Sequence, residues 1–149
     1  MQTCSRHIGR RATKVQDIMH RGTGMGAGFG VGIDIEGVYR FRKLSMDSAF
    51  LHRVFTQKEQ DYCLAHRSPA PHLAVRFAAK EAVVKALSSL KKTPPNYKDI
   101  EVINDENGIP LVHIHKQGFE RLRITVSLSH SKSQAVALAV ITETPSVDS

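Results

Sequence analysis

Between residues 76 and 85 the chain runs Arg-Phe-Ala-Ala-Lys-Glu-Ala-Val-Val-Lys, and helical spacing puts Phe77, Glu81 and Lys85 on one face at successive four-residue steps. A carboxylate thus sits between an aromatic ring and an amine. The same pattern also describes an amphipathic helix with a Glu81–Lys85 surface pair, worth at most about 0.5 kcal/mol. Asp34 stands out differently, because aspartate is disfavoured in strands and here it interrupts an apolar run. Glu36 lies two residues on and therefore shares its face. Carboxylates on one face repel unless something positive intervenes: a hard divalent cation with oxygen ligands is one arrangement, and a strand end passing into a turn is another. A third group is Ser127-Leu128-Ser129-His130-Ser131-Lys132, where hydroxyls, an imidazole and an amine gather as either a phosphate-holding cluster or a polar hairpin.

These groups need a scaffold. Phe29 to Ile35 reads as a short strand with Val31, Ile33 and Ile35 on one face and Gly32 and Asp34 on the other. A helix is predicted over Ser48 to Val54, and a second opens at Thr56, whose hydroxyl can cap it while Glu59 reaches back; Tyr62 and Cys63 would continue its buried side. The longest helical stretch runs from about His72 to Leu90, with Leu73, Phe77, Val84 and Leu87 near one stripe, and Pro94-Pro95 terminates it. Ile100 to Ile103 and Leu111 to His115 read as strands joined by a hairpin at Asn107-Gly108, and Arg123 to Ser129 and Gln134 to Thr142 as two more. Without regular strand–helix–strand alternation, the expectation is an α+β domain with a mainly antiparallel sheet packed on a long helix.

The 149 residues, 41% hydrophobic and 23% charged, describe one ordinary folded unit without internal repeat. No apolar run approaches the roughly 20 residues of a membrane-spanning helix. Cys4 and Cys63 are far apart and outside any C-x-x-C spacing, which points to reduced thiols and a cytoplasmic setting. The net charge of +7 is concentrated early: Arg6, Arg10, Arg11, Lys14 and Arg21 face Asp17 alone. Glycines at 22, 24, 26, 28, 30 and 32 close this stretch and favour a mobile segment. Residues 1–28 thus read as a basic extension, 29–143 as the domain and 144–149 as a tail. A transit peptide, a late start codon and added residues all fit the extension, so organellar targeting stays open. Dinucleotide binding does not fit, since the apolar strand follows the glycines instead of preceding them.

In the order and spacing of three blocks the sequence resembles the holo-acyl-carrier-protein synthases, the short branch of the phosphopantetheinyl transferases. The blocks are Gly32-Ile33-Asp34-Ile35-Glu36, then Arg76-Phe77-Ala78-Ala79-Lys80-Glu81 with Lys85, then Ser127-Leu128-Ser129-His130. Phe55-Thr56-Gln57-Lys58-Glu59 also resembles the family's lead into its middle helix, and the likeness covers roughly residues 29 to 142. The extension falls outside it, and Ser88-Ser89-Leu90-Lys91-Lys92 stands where many members carry a glycine-containing stretch.

The resemblance implies the phosphopantetheinyl transferase fold and a Mg²⁺-dependent transfer of 4'-phosphopantetheine from coenzyme A to a carrier-protein serine, in support of fatty acid biosynthesis. Asp34 and Glu81 would hold Mg²⁺, with Glu36 matching a third acidic ligand more typical of double-length relatives. Asp34, Glu81 and Lys85 would be catalytic, Lys85 at the leaving group and Asp34 as organiser; whether a carboxylate or a water takes the serine proton stays open. Arg76, Lys80, Lys85, Ser129 and His130 would bind coenzyme A phosphates. Arg40 matches a carrier-facing position, and Arg42 and Lys43 extend it by charge and proximity toward an acidic acyl carrier protein. A homotrimer is implied, without nucleic acid or membrane. Two other readings compete: a basic nucleic-acid-binding module, which the low aromatic content and missing motif disfavour, and a catalytically silent scaffold.

Overall fold

A computed structural model describes residues 28–45 and 47–144. The expected extension, Gly28 apart, and the tail beyond Thr144 lie outside the described residues. The order is β1 (Phe29–Gly37), α1 (Val38–Arg42), α2 (Ala49–Val54), α3 (Gln57–Leu64), α4 (Pro69–Ser89), a single 3₁₀ turn (Tyr97–Asp99), β2 (Ile100–Asn104), β3 (Pro110–Ile114), β4 (Leu122–His130) and β5 (Gln134–Glu143). All pairing is antiparallel: β1, β5 and β4 form one sheet in that order, and β2 with β3 forms a separate hairpin.

Local signals account for most of the boundaries. Ser48 caps α2 by accepting from the Leu51 amide, and Thr56 with Glu59 completes the expected capping box on α3. Helix α4 begins three residues earlier than predicted because Pro69 suits a first helical position. It ends at Ser89, before the two prolines, where Lys91 adopts a left-handed backbone with φ of 57°. The β2–β3 connection is wider than the Asn107-Gly108 pair alone. Asp105 Oδ1 accepts from the Asn107 and Ile109 amides, and Gly108 supplies φ of 81°.

Helix α4 is buried around most of its circumference, not along one stripe. Its alanines at 78, 79, 82 and 86 meet Ala137, Ala139 and Ile141 of β5 in one core cluster with Val83, Leu87, Ile100 and Val102. A second cluster gathers Phe41, Leu51, Phe55, Leu73 and Phe77 around the shorter helices. Where β1 crosses α4 there is no room for any side chain. A Cβ on Gly32 would stand 2.7 Å from the Ala86 nitrogen and closer still to the Ala82 carbonyl, and one on Gly30 would collide with the Ala86 carbonyl. These two glycines, read from the sequence as the end of a mobile segment, are contact points.

That closeness inverts the expected use of the strand faces. Period two holds, but the small residues Gly30, Gly32, Ala135, Ala137 and Ala139 turn toward α4. Val31, Ile33, Ile35 and Leu138 turn outward and are 38–60% exposed. On α3 Cys63 is buried, while Tyr62 stays partly exposed with its ring over Arg76.

Candidate active site

β1 and α4 are pressed together along the glycines, so Asp34, two residues beyond Gly32 on the same strand face, also meets the helix. Asp34 Oδ1 accepts from Lys85 Nζ at 2.7 Å, and that amine also donates to the Ile33 carbonyl at 3.0 Å. Asp34 Oδ2 is buried with no hydrogen-bond partner among the described residues. Glu36, next on this face, pairs with Arg40 at 3.2 Å. Glu81 accepts from the Tyr97 hydroxyl at 2.6 Å and has no cationic partner among the described residues.

Three carboxylates therefore share the site with two cations. Burial raises the Glu36 carboxyl above its ordinary value against the pull of Arg40, with Asp34 and Glu81 adding to the rise. The hydrogen bond to Asp34 raises Lys85, which keeps its proton. Burial, then the Glu81 hydrogen bond, pushes Tyr97 up to about 12, so this hydroxyl is a donor at any working pH.

Mg²⁺ takes one or two carboxylates and otherwise water or substrate phosphate. The residues present fit it: an unpartnered buried Asp34 oxygen beside a Glu81 without a counter-cation is an acceptor-only set short of positive charge. Among the described residues no three His, Cys, Asp or Glu side chains form a self-sufficient metal cage.

On α1, Arg40 is half exposed and lies 5.0–5.5 Å from the rings of Phe41, Phe50 and Phe77. Arg42 donates to the Lys132 carbonyl at 3.1 Å, and Lys43 Nζ sits 4.4 Å from the Tyr39 ring. All three expected carrier-facing cations thus share one short segment beside the carboxylates.

The five expected phosphate-binding residues separate. Lys85 stays at the carboxylates. Arg76 leaves α4 in another direction and donates to the Val102 carbonyl and to Asn104 Oδ1; it shares a recess of about 180 Å³ with His130. Ser129 is exposed on the opposite sheet face, because neighbouring strand residues point to opposite sides.

Lys80 lies apart from both: it is fully buried and donates to Glu59 Oε2 at 2.8 Å and to the Val54, Tyr97 and Ile100 carbonyls. Burial lowers its pKa, and Glu59 opposes that. Since Glu59 also accepts from the Val102 and Thr56 amides, this ion pair ties α3, α4 and β2 together.

Sequence reasoning missed Tyr97, which reaches Glu81 only because the chain reverses through Pro94-Pro95; no spacing carries that signal. It also missed His72, whose ring lies at the recess shared by Arg76 and His130.

An α+β domain with paired carboxylates and cations arranged for phosphate chemistry defines the class. Comparison with known proteins specifies it: a family model of the 4'-phosphopantetheinyl transferase superfamily matches residues 30–140, and the chain belongs to that superfamily, among its holo-[acyl-carrier-protein] synthases. It is 47% identical over 115 residues to the holo-[acyl-carrier-protein] synthase of Thermodesulfovibrio yellowstonii, covering 76% of this chain and 97% of that one. With the synthase of Protochlamydia amoebophila it shares 44% identity over 116 residues, covering 74% and 95%. The structure of the Bacillus anthracis synthase in complex with CoA (3',5'-ADP) superposes with a TM-score of 0.65 at 33% identity, over 77% of this chain and 96% of that one.

Proposed function

We propose that this chain transfers the 4'-phosphopantetheine group from coenzyme A to a serine of an apo-acyl carrier protein, with Mg²⁺, releasing adenosine 3',5'-bisphosphate and serving fatty acid biosynthesis. The observation that carries this reading is the junction of β1 and α4, where the unpartnered Asp34 oxygen, Glu81 and a protonated Lys85 meet. Asp34 and Glu81 would hold the metal, with Glu36 beside them. Bound there, Mg²⁺ supplies charge neutralisation on the pyrophosphate oxygens.

In the reaction the serine oxygen bonds to the phosphorus that bears pantetheine, and its proton passes to a carboxylate of the site or to a water. The bond from that phosphorus to the bridging oxygen breaks, and the electron pair leaves with adenosine bisphosphate. Such a transfer depends on position and on countering negative charge as it grows. Lys85, half exposed and aligned by Asp34, is the cation that faces the leaving phosphate and can return a proton to it. Asp34 orders this amine. Tyr97, by donating to one oxygen of Glu81, fixes which oxygen of that carboxylate is free. Arg76 and His130 hold a nucleotide phosphate in their recess.

Arg40, Arg42 and Lys43 form the surface for the acidic carrier, close enough to the carboxylates that a docked serine can reach them. The outward apolar face of Val31, Ile33, Ile35 and Leu138 supports self-association, with a homotrimer as the assembly. The transferase unit is taken as residues 29–143 and its setting as the cytoplasm. Among the described residues no helix is long and apolar enough to cross a membrane.

The test is the intact mass of acyl carrier protein incubated with the purified chain, coenzyme A and Mg²⁺, with EDTA as control. A metal-dependent gain of one phosphopantetheine is expected. Carrier binding without any gain would favour the silent scaffold.

A further inference from the structure

Arg76 is 97% buried, since only 3% of its surface is exposed, yet no carboxylate lies within ion-pair distance of it among the described residues. Its guanidinium is held by the Val102 and His72 carbonyls, by Asn104 Oδ1 and by the face of Tyr62 at 4.0 Å. A buried cation compensated only by neutral groups is short of negative charge. The recess beside it is lined by His72 and His130, whose rings are 5.7 Å apart, and His66 stacks on His72 at 3.8 Å. His66 Nδ1 must carry a proton, because it lies 2.8 Å from the Tyr62 carbonyl, which only accepts. Among the described residues the titratable and charged groups facing His72 are thus basic or neutral: His66 and Tyr62 from the α3 end, Arg76 on α4 and His130 on β4.

Resting on the reading of Arg76 and His130 as phosphate binders, we infer that His72 is a further donor-binding residue, taking up a proton as a phosphate monoester enters this recess, with His66 as the residue that positions its ring. Without the anion, burial and then His66, His130 and Arg76 lower the His72 pKa and so favour its neutral form. An arriving dianion reverses that balance, so binding and protonation are coupled. Arg76 and Lys85 are nine residues apart, half a turn round the helix, so the recess is separate from the carboxylate cluster. The group it takes is accordingly the isolated monoester of coenzyme A, not its pyrophosphate.

Titration calorimetry in two buffers of different ionisation enthalpy at pH 7.0 tests this with coenzyme A and dephospho-coenzyme A, which lacks the monoester. Wild-type protein should take up protons with coenzyme A and markedly fewer with dephospho-coenzyme A. His72→Phe, which keeps the aromatic stack, should lose most of that uptake and bind coenzyme A at least three-fold more weakly at pH 6.0, with dephospho-coenzyme A unchanged. Unaltered uptake in a folded His72→Phe, or equal uptake with both ligands, overturns the inference and leaves the transferase reading intact. No coenzyme A binding by the wild type would instead remove that reading and this inference with it.

Discussion

Lys85 Nζ donates to Asp34 Oδ1 at 2.7 Å, from the last third of α4 to the middle of β1, and leaves the other oxygen of that carboxylate buried without a partner among the described residues. The contact exists because Gly30 and Gly32 let the strand lie directly on the helix backbone. A side chain at either position would hold the two elements apart and open the pair. The same approach brings Glu81, one helical turn before Lys85, toward the strand. Packing and chemistry thus depend on the same residues.

Asp34→Asn and Glu81→Gln each remove charge with little change of shape. Transfer to the carrier should fall at least about 100-fold for each, as when a charge-stabilising group is lost, with the folded state retained. Rates by mass spectrometry beside thermal melts check this. Near-normal turnover in a folded variant would strip that residue of its metal role.

Arg40→Glu should raise the carrier concentration needed for half-maximal rate by about ten-fold or more, while Arg40→Lys recovers much of the loss. Coenzyme A affinity, measured separately by calorimetry, should be unchanged in both. An unaltered carrier response takes Arg40 out of the interface.

Lys80→Met leaves the Glu59 carboxylate buried without its cation, which should cost about 3–5 kcal/mol in urea unfolding. The double variant with Glu59→Gln should recover part of that loss. Since Lys80 is fully buried and its amine is taken up by Glu59 and backbone carbonyls, the folded fraction of either variant should bind coenzyme A like the wild type. A specific loss of coenzyme A affinity would restore the residue to the phosphate site.

Gly32→Ala forces a methyl group against the backbone of α4. Destabilisation by at least about 1–3 kcal/mol is expected, together with reduced transfer, because Asp34 shifts with the strand. Gly37→Ala, where a Cβ would meet nothing, should leave stability nearly unchanged and serves as the control.

Burial pushes the Cys63 thiol up to about 11. At pH 8.5 the thiol form dominates, and the group is also fully buried. It should therefore stay unlabelled by iodoacetamide in the native protein and react on unfolding. Rapid native labelling at Cys63 would show that α3 opens locally.

The sequence alone determined what depends on near neighbours in the chain. The capping box of Thr56 and Glu59, the alternation of Phe29 to Ile35 and the common face of Phe77, Glu81 and Lys85 arise from backbone periods of two and 3.6 residues, and three spaced blocks were enough to suggest the family. Tertiary structure decided which face of each element is covered. Glycines and alanines make the closest helix–sheet contact and leave the larger Val31, Ile33 and Ile35 outside, an outcome that hydrophobicity ranks the wrong way round. It also sorted the charged side chains along α4. Arg76, Lys80 and Lys85 lie within ten residues, yet one reaches toward β2 and the recess, one is sealed beside Glu59 and one meets Asp34. Arg76 and Lys80, one turn apart, share a helix face and Lys85 lies well round from them, so spacing alone does not name their partners, which are fixed only when the sheet and hairpin close around the helix.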